Sequence, residues 1–305
     1  MVSIVICIYK EKTSWISRSI ISLLEQTYDE IEIVVVVDNP LLDKAVVGLL
    51  EEYTKKDSRV HVHYNEKNIG AANSRNVGVS FSTGEYVAFL DADDYSYNNR
   101  IEKELSFLLS QQLDIVCSRY SAVDENELLL FESPINNKTI NKVLPLYNPV
   151  ANPTVLMKRS VFLALNGFRE LVVCEDYDLW LRAVSAGYKI GLINDCLTYY
   201  TIRTGSLSHQ NVLKTYYTNK LLRRFYKQRL NTGHDSFSKE YVDQFLLLKT
   251  NNTKKANRMN KASLYYDEAK KNKKLMIAFI FVSFCCSPKL IIERIALKIR
   301  LIFVK

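Results

Sequence analysis

Apolar and polar positions alternate along the first ninety residues with two different periods. Val2 to Tyr9 is an almost unbroken apolar run and reads as a buried strand, whereas Trp15 to Leu24 places apolar residues at helical spacing. Ile31 to Val37 is a second, β-branched run that ends in Asp38-Asn39-Pro40, so a carboxylate and turn residues stand at the strand's carboxyl end. A helix over Leu41 to Lys55, a strand over Val60 to Tyr64, a turn at Asn68-Ile69-Gly70, a helix over Ala71 to Phe81 and a strand over Glu85 to Leu90 follow. Strands regularly separated by helices predict an α/β fold, with a mostly parallel central sheet flanked by helices. Such sheets bind ligands beyond the carboxyl ends of their strands, where Asp38 and Asp91 fall.

The pattern then loosens. A helix over Arg100 to Gln111, a strand over Asp114 to Ser118 and polar turns at 132–142 suggest a loop-rich half, with a further helix over Asp176 to Ala186. Beyond Gln210 the chain turns helical, with candidate helices at Leu213 to Leu230, Lys239 to Lys249 and Lys254 to Lys274. This places a domain at 1–209 and a helical region at 210–305, as a chain of 305 residues allows. Leu275 to Ser287 is the most apolar run, but its 13 residues fall short of the roughly 20 that span a bilayer. Leu290 to Lys305 interleaves apolar residues with Arg294, Lys298 and Arg300, the pattern of a helix lying in a membrane interface or of a helix packed on its own domain.

Charge divides along the same line. The net charge is +8, yet residues 210–305 hold 21 Lys and Arg against 6 Asp and Glu, while the first 209 hold 20 against 27. A basic region on an acidic domain points to a polyanion, either an anionic membrane surface or a nucleic acid. The apolar run inside the basic region and the absence of a nucleic-acid motif favour the membrane. The six cysteines, at 7, 117, 174, 196, 285 and 286, show no metal-ligand spacing and fit a reducing compartment, and the N-terminus lacks a signal-peptide pattern.

Asp91, Asp93 and Asp94 crowd three carboxylates into four residues after an apolar strand. Such neighbours repel and raise one another's pKa unless a cation offsets them, which suits Mg²⁺ or Mn²⁺. A solvated acidic turn is the plainer account of any lone Asp-x-Asp. Here it has company in the carboxylate after an earlier strand, an Arg-bearing helix before it, and the pair Glu175-Asp176 far downstream. A carboxylate of that pair within reach of a substrate hydroxyl is a candidate general base.

With these residues in order, the chain from Val2 to about Ser208 resembles glycosyltransferase family 2, inverting enzymes with a GT-A fold. Ser3-Ile4-Val5-Ile6-Cys7-Ile8-Tyr9 is similar to the opening strand and Val35-Val36-Val37-Asp38 to the nucleotide-binding strand end. Asn68 to Gly78 is similar to the Asn/Arg helix, Gly84 to Asp94 to the metal motif, and Glu175-Asp176-Tyr177-Asp178-Leu179-Trp180-Leu181-Arg182 to the base motif. Two departures stand out: the family usually has proline at the place of Cys7 and asparagine at that of Lys10, and its turn after the residue matching Asp38 is usually richer in Gly and Ser.

The resemblance implies Asp38 near the base or ribose, Arg75 and Tyr9 on the nucleotide, Asp91 on the ribose side and shared with the metal, and Asp93 on the metal. It implies Asp176 as general base with Glu175 beside it, and Arg203 with Ser206 in a late loop over the diphosphate. It further implies Mn²⁺ or Mg²⁺ as cofactor, a UDP-sugar donor (UDP-glucose or UDP-galactose) and GlcNAc- or GalNAc-diphosphate-undecaprenol as acceptor. The linkage would be β-1,3 in O-antigen (lipopolysaccharide) repeat units, or a capsule linkage on another acceptor. The place of work would be the cytoplasmic face of a bacterial inner membrane, peripherally bound. A catalytically silent sugar-nucleotide binder of the same fold is the rival, and intact acidic motifs speak against it.

Overall fold

The computed structural model describes residues 1–134, 140–203, 211–271 and 276–302. They form two compact units, one of Met1–Asn141 with Asn148–Ile202 and one of Lys142–Tyr147 with Arg203–Lys305.

The first unit is built on one nine-stranded sheet. Its strands are β1 (Val2–Ile8), β2 (Ile31–Val37), β3 (Val60–Tyr64), β4 (Tyr86–Asp91), β5 (Tyr95–Ser96), β6 (Ile115–Val123), β7 (Leu129–Glu132), β8 (Val155–Lys158) and β9 (Ile190–Thr201). They run in the order β3-β2-β1-β4-β8-β6-β9-β5, with β7 on β6. The first four strands in that order are mutually parallel. β8 is antiparallel to both β4 and β6, and β9 returns parallel to β6. Helices α1 (Thr13–Leu24), α2 (Lys44–Lys56), α3 (Ala71–Phe81) and α4 (Arg100–Ser110) are the connections among the early strands, and α5 (Ile140–Val143), α6 (Arg159–Ala164) and α7 (Glu175–Ser185) lie among the later ones. This is the mixed, mostly parallel α/β sheet flanked by helices that the alternation predicts.

The β-branched runs of β1 and β2 are buried almost throughout, because a strand with helices on both faces has no solvent side. Helix α2 starts three residues later than its apolar pattern suggests, since Asp43 caps it by accepting from Ala45 N at 2.8 Å. Helix α3 lies so close to the sheet that a Cβ at Gly78 would stand 2.4 Å from Val5 Cγ1.

The expected loop-rich middle is the largest departure. It supplies β6, nine residues instead of five, and β7 and β8, and with β9, which follows the 176–186 helix, these complete the sheet beyond β4. A fully buried ion pair ties these strands to the early half. Arg100 Nε meets Glu104 at 3.1 Å, and its other nitrogens donate to Ser96 Oγ and to the carbonyls of Phe89 and Val155. Glu104 also accepts from Ser118 Oγ at 2.9 Å.

In the second unit, α8 (Val212–Thr232), α9 (Lys239–Thr250), α10 (Thr253–Lys271), α11 (Met276–Cys286) and α12 (Pro288–Ile302) surround a small core of Leu213, Met259, Ala262 and Leu290. In α12, Arg294 and Lys298 lie over the Tyr266 ring at 4.7 and 5.7 Å, so this basic helix packs on its own unit. No helix among the described residues is long and apolar enough to cross a membrane.

Candidate active site

The site forms where the parallel strands end. Cys7 pairs in register with Asp91, and Ile8 with Val37, so the turns after β1, β2 and β4 open side by side. Asp38 is 4% exposed, and both its oxygens are engaged: Oδ1 accepts from Asn65 Nδ2 and Ile69 N, and Oδ2 from Gly70 N, all within 2.9 Å. It thereby clamps the loop that starts α3, where Gly70 takes φ +85, a region that favours glycine. Tyr9 stands exposed at the mouth, with its carbonyl accepting from Asn39 Nδ2 at 2.8 Å. Cys7 is inert: burial pushes its thiol up to about 12.

Arg75 joins the two halves of the site. From α3 it reaches Asp91 Oδ1 at 2.8 Å and Glu175 Oε1 at 2.6 Å. Burial works against its charge, but the two carboxylates outweigh that and raise its pKa further. Glu175 and Asp176 open helix α7 (Glu175–Ser185), preceded by Cys174 at φ +66, a left-handed conformation that a non-glycine residue adopts at a cost of about 1–2 kcal/mol. Asp176 accepts from Asn148 Nδ2 at 3.1 Å through Oδ2 and from Tyr177 N through Oδ1. Burial, then the adjacent Glu175 charge, push its carboxyl up to about 7, where a general base is half-ionised at neutral pH.

The rest of the base motif holds this helix in place. Asp178 is fully buried and pairs with Arg182 at 2.8 Å, and Arg182 donates to the carbonyls of Leu165 and Gly167. Asn76 exchanges two 2.8 Å hydrogen bonds with the Phe168 backbone, setting that ring 5.8 Å from the Arg75 guanidinium.

The acidic turn separates its three carboxylates. Asp91 and Asp93 are partly exposed, whereas Asp94 is 1% exposed and turned into the protein, where Oδ1 accepts from Thr201 N at 2.7 Å. Burial first, then Asp93 and Asp91, raise the Asp94 carboxyl well above the carboxylate range. The trio expected from sequence thus divides into two accessible groups and one buried group. The Asp93 carbonyl accepts from Thr201 Oγ1 at 2.5 Å and Arg18 Nη2 at 3.0 Å, and Arg18 stacks 4.2 Å from the Tyr95 ring. Tyr200 lies by the same turn; its phenol is raised well above its usual value by burial and by Asp94, Asp91 and Asp93, so it stays protonated.

Among the described residues no three His, Cys, Asp or Glu side chains converge as a ready-made metal site. Two accessible carboxylates on a turn pinned by Thr201 and Arg18 still fit a hard divalent ion that keeps water and substrate phosphate oxygens in its shell. Asp94 Oδ2 is buried without a hydrogen-bond partner among the described residues, so the same turn holds one unsatisfied carboxyl oxygen.

Asp38, Tyr9, Arg75, Asp91, Asp93, Glu175 and Asp176 all belong to the first unit, and Arg75 links Asp91 to Glu175 directly. Arg203 is half-buried and belongs to the second unit; Ser206, His209, Asn136 and Asn137 lie outside the described residues. Sequence reading passed over Arg18, Asn148, Tyr200 and Thr201. Thr201 and Tyr200 end a strand whose pairing is entirely long-range, and Asn148 sits in a segment without periodicity, so neither carried a local signal.

Known proteins are similar to this chain. The profile described as Glycosyl transferase family 2 matches residues 3–163. The O-antigen biosynthesis glycosyltransferase WbnJ of Escherichia coli is 30% identical over 76% of this chain and 92% of its own length. The UDP-Glc:alpha-D-GlcNAc-diphosphoundecaprenol beta-1,3-glucosyltransferase WfaP of Escherichia coli is 32% identical over 68% of this chain and 80% of its own. Among solved structures, S. aureus TarS 1-349 in complex with UDP-GlcNAc superposes with a TM-score of 0.63 at 18% identity, covering 96% of this chain and 88% of that one.

Proposed function

This chain belongs to glycosyl transferase family 2, and from that premise we propose that it is an inverting hexosyltransferase acting on a UDP-sugar and a lipid-diphosphate-linked sugar. The observation that carries the reading is Asp176, a carboxyl raised to about 7 and connected through Glu175 and Arg75 to Asp91. Asp176 takes the proton of the acceptor hydroxyl as its oxygen attacks the anomeric carbon from the face opposite the diphosphate. The bond from that carbon to the diphosphate oxygen breaks, UDP leaves with the electron pair, and the α-linked donor becomes a β-glycoside. Arg75 orients Asp91 toward the ribose, and Tyr9 and Asp38 border the nucleotide. Asp93 and Asp91 are the residues to hold Mg²⁺ or Mn²⁺, which when bound offsets the charge developing on the diphosphate.

The donor is UDP-glucose or UDP-galactose, and the acceptor GlcNAc- or GalNAc-diphosphate-undecaprenol in a β-1,3 linkage of an O-antigen or capsule unit. The names and the roughly 30% identity of the two relatives support this choice. A lipid-linked acceptor puts the enzyme at the cytoplasmic face of an inner membrane. The basic second unit supports peripheral binding to anionic lipid there.

Purified protein, Mn²⁺, a panel of UDP-hexoses and a synthetic GlcNAc-diphosphate-lipid test the reaction. The expected result is a lipid product heavier by one hexose, lost with Asp93→Ala. No gain with any donor, while UDP still binds, overturns this acceptor.

A further inference from the structure

The strongest feature outside the catalytic region lies within the second unit. The start of α10, the α8 tyrosines and the α11–α12 junction enclose a cavity of about 330 Å³. Three cations, Lys254, Arg258 and Lys289, line it, and among the described residues no acidic one does. Arg258 is anchored at the wall, its Nε donating to the Cys286 carbonyl at 3.1 Å. Helix α12 begins there: Ile291 N closes its first turn on Ser287 O, so the amides of Lys289 and Leu290 have no partner further back in the helix. The adjoining acid, Glu293, is engaged elsewhere, accepting from Tyr216 Oη at 2.7 Å and Lys220 Nζ at 2.9 Å. Three positive side chains, a helix amino end and a cavity of this size suit one phosphate group.

The flanks indicate what carries that phosphate. Phe281, Phe284, Ile292 and Ile295, on the two helices that meet at the cavity, are exposed, with Phe281 at 67%. Large apolar side chains exposed on the two helices whose junction lines a basic cavity suit a surface that enters the interface of a bilayer. We propose that this cavity seats the phosphate of an anionic phospholipid headgroup, with those four side chains dipping into the acyl boundary. The inference deepens the membrane-surface part of the proposed function and rests on it. It adds that binding occurs at a site and is not spread over the basic unit.

The test is flotation of the full chain with phosphatidylcholine vesicles carrying about 30% phosphatidylglycerol. The cavity variant is Lys254→Gln with Lys289→Gln, both at exposed positions. A charge-matched control, Arg224→Gln with Lys227→Gln, replaces two exposed cations of the same unit away from the cavity lining. The site predicts a loss of about fivefold per cation removed for the cavity variant and less than about threefold for the control. It also predicts that Lys254→Arg with Lys289→Arg binds like the wild type.

Equal losses in cavity and control variants overturn the site while leaving a diffuse membrane attraction in place. Failure of the wild-type protein to float overturns both. Displacement by inorganic phosphate at the lipid's own phosphate concentration overturns a lipid as the source. Flotation needs neither donor nor acceptor, so absence of sugar transfer leaves every one of these outcomes readable.

Discussion

Asp176 is where single-residue chemistry is sharpest. The proposed base must be ionised to work, so kcat/KM is expected to rise with pH through an acidic limb near 7, the value to which burial and Glu175 push its carboxyl. Glu175→Gln removes the neighbouring negative charge, and the limb moves to lower pH; a limb that stays put would detach Glu175 from the base. Asp176→Asn keeps the shape and removes the basicity, so turnover falls by about 10³-fold while UDP affinity, measured by calorimetry, changes little. Asp94 illustrates why identity alone does not assign a role. It stands next to Asp93 in sequence, yet it is buried, held by Thr201 N and raised well above the carboxylate range.

At the level of elements, the site depends on strands and helices being locked at their carboxyl and amino ends. Arg100 sits on α4 and bonds carbonyls of β4 and the start of β8, while its partner Glu104 reaches β6. Arg100→Met strands Glu104 as a buried, unpaired carboxylate and is expected to cost about 3–5 kcal/mol in urea unfolding. The double variant Arg100→Met/Glu104→Gln recovers part of that loss, because the orphaned charge is gone. Gly78→Ala presses a methyl against the Val5 side chain, which has no flexible end to swing away, and drives α3 off the sheet. The expected cost is about 1–3 kcal/mol, together with weaker UDP binding, since α3 carries Arg75.

Over the whole molecule, ionisation couples to stability in two opposing windows. Asp94, Asp176 and Glu104 all have folded pKa values above the ordinary range, with burial as the leading cause. The native state therefore binds more protons than the unfolded chain, and stability falls as pH rises from the ordinary carboxylate range through about 7. Glu32 behaves oppositely: burial pushes it up, but hydrogen bonds from Ser3, Thr83 and Gly84 outweigh that and hold it low. Its contribution is present above the ordinary glutamate pKa and is lost on acidification. Thermal melts should therefore peak on the acid side of neutrality and drop both as pH rises through about 7 and below about pH 4. Asp176→Asn should flatten the fall toward pH 7, and an unchanged slope would remove Asp176 from the account.

The local pattern of the chain determined the parallel half of the sheet, because β1, β2 and β4 are buried on both faces and must be written as apolar runs separated by amphipathic helices. It also determined where Asp38, Arg75, Asp91, Asp93, Glu175 and Asp176 stand in the chain, since strand ends and helix starts announce themselves locally. Tertiary structure alone decided which of these meet. Arg75 joins Asp91 to Glu175 across 100 residues, Asn148 reaches Asp176, and Thr201 pins a turn more than a hundred residues earlier. β8 and β9 were illegible for the same reason. They earn their strand conformation from partners far along the chain, and no periodicity within four or twelve residues records a hydrogen bond made to another element.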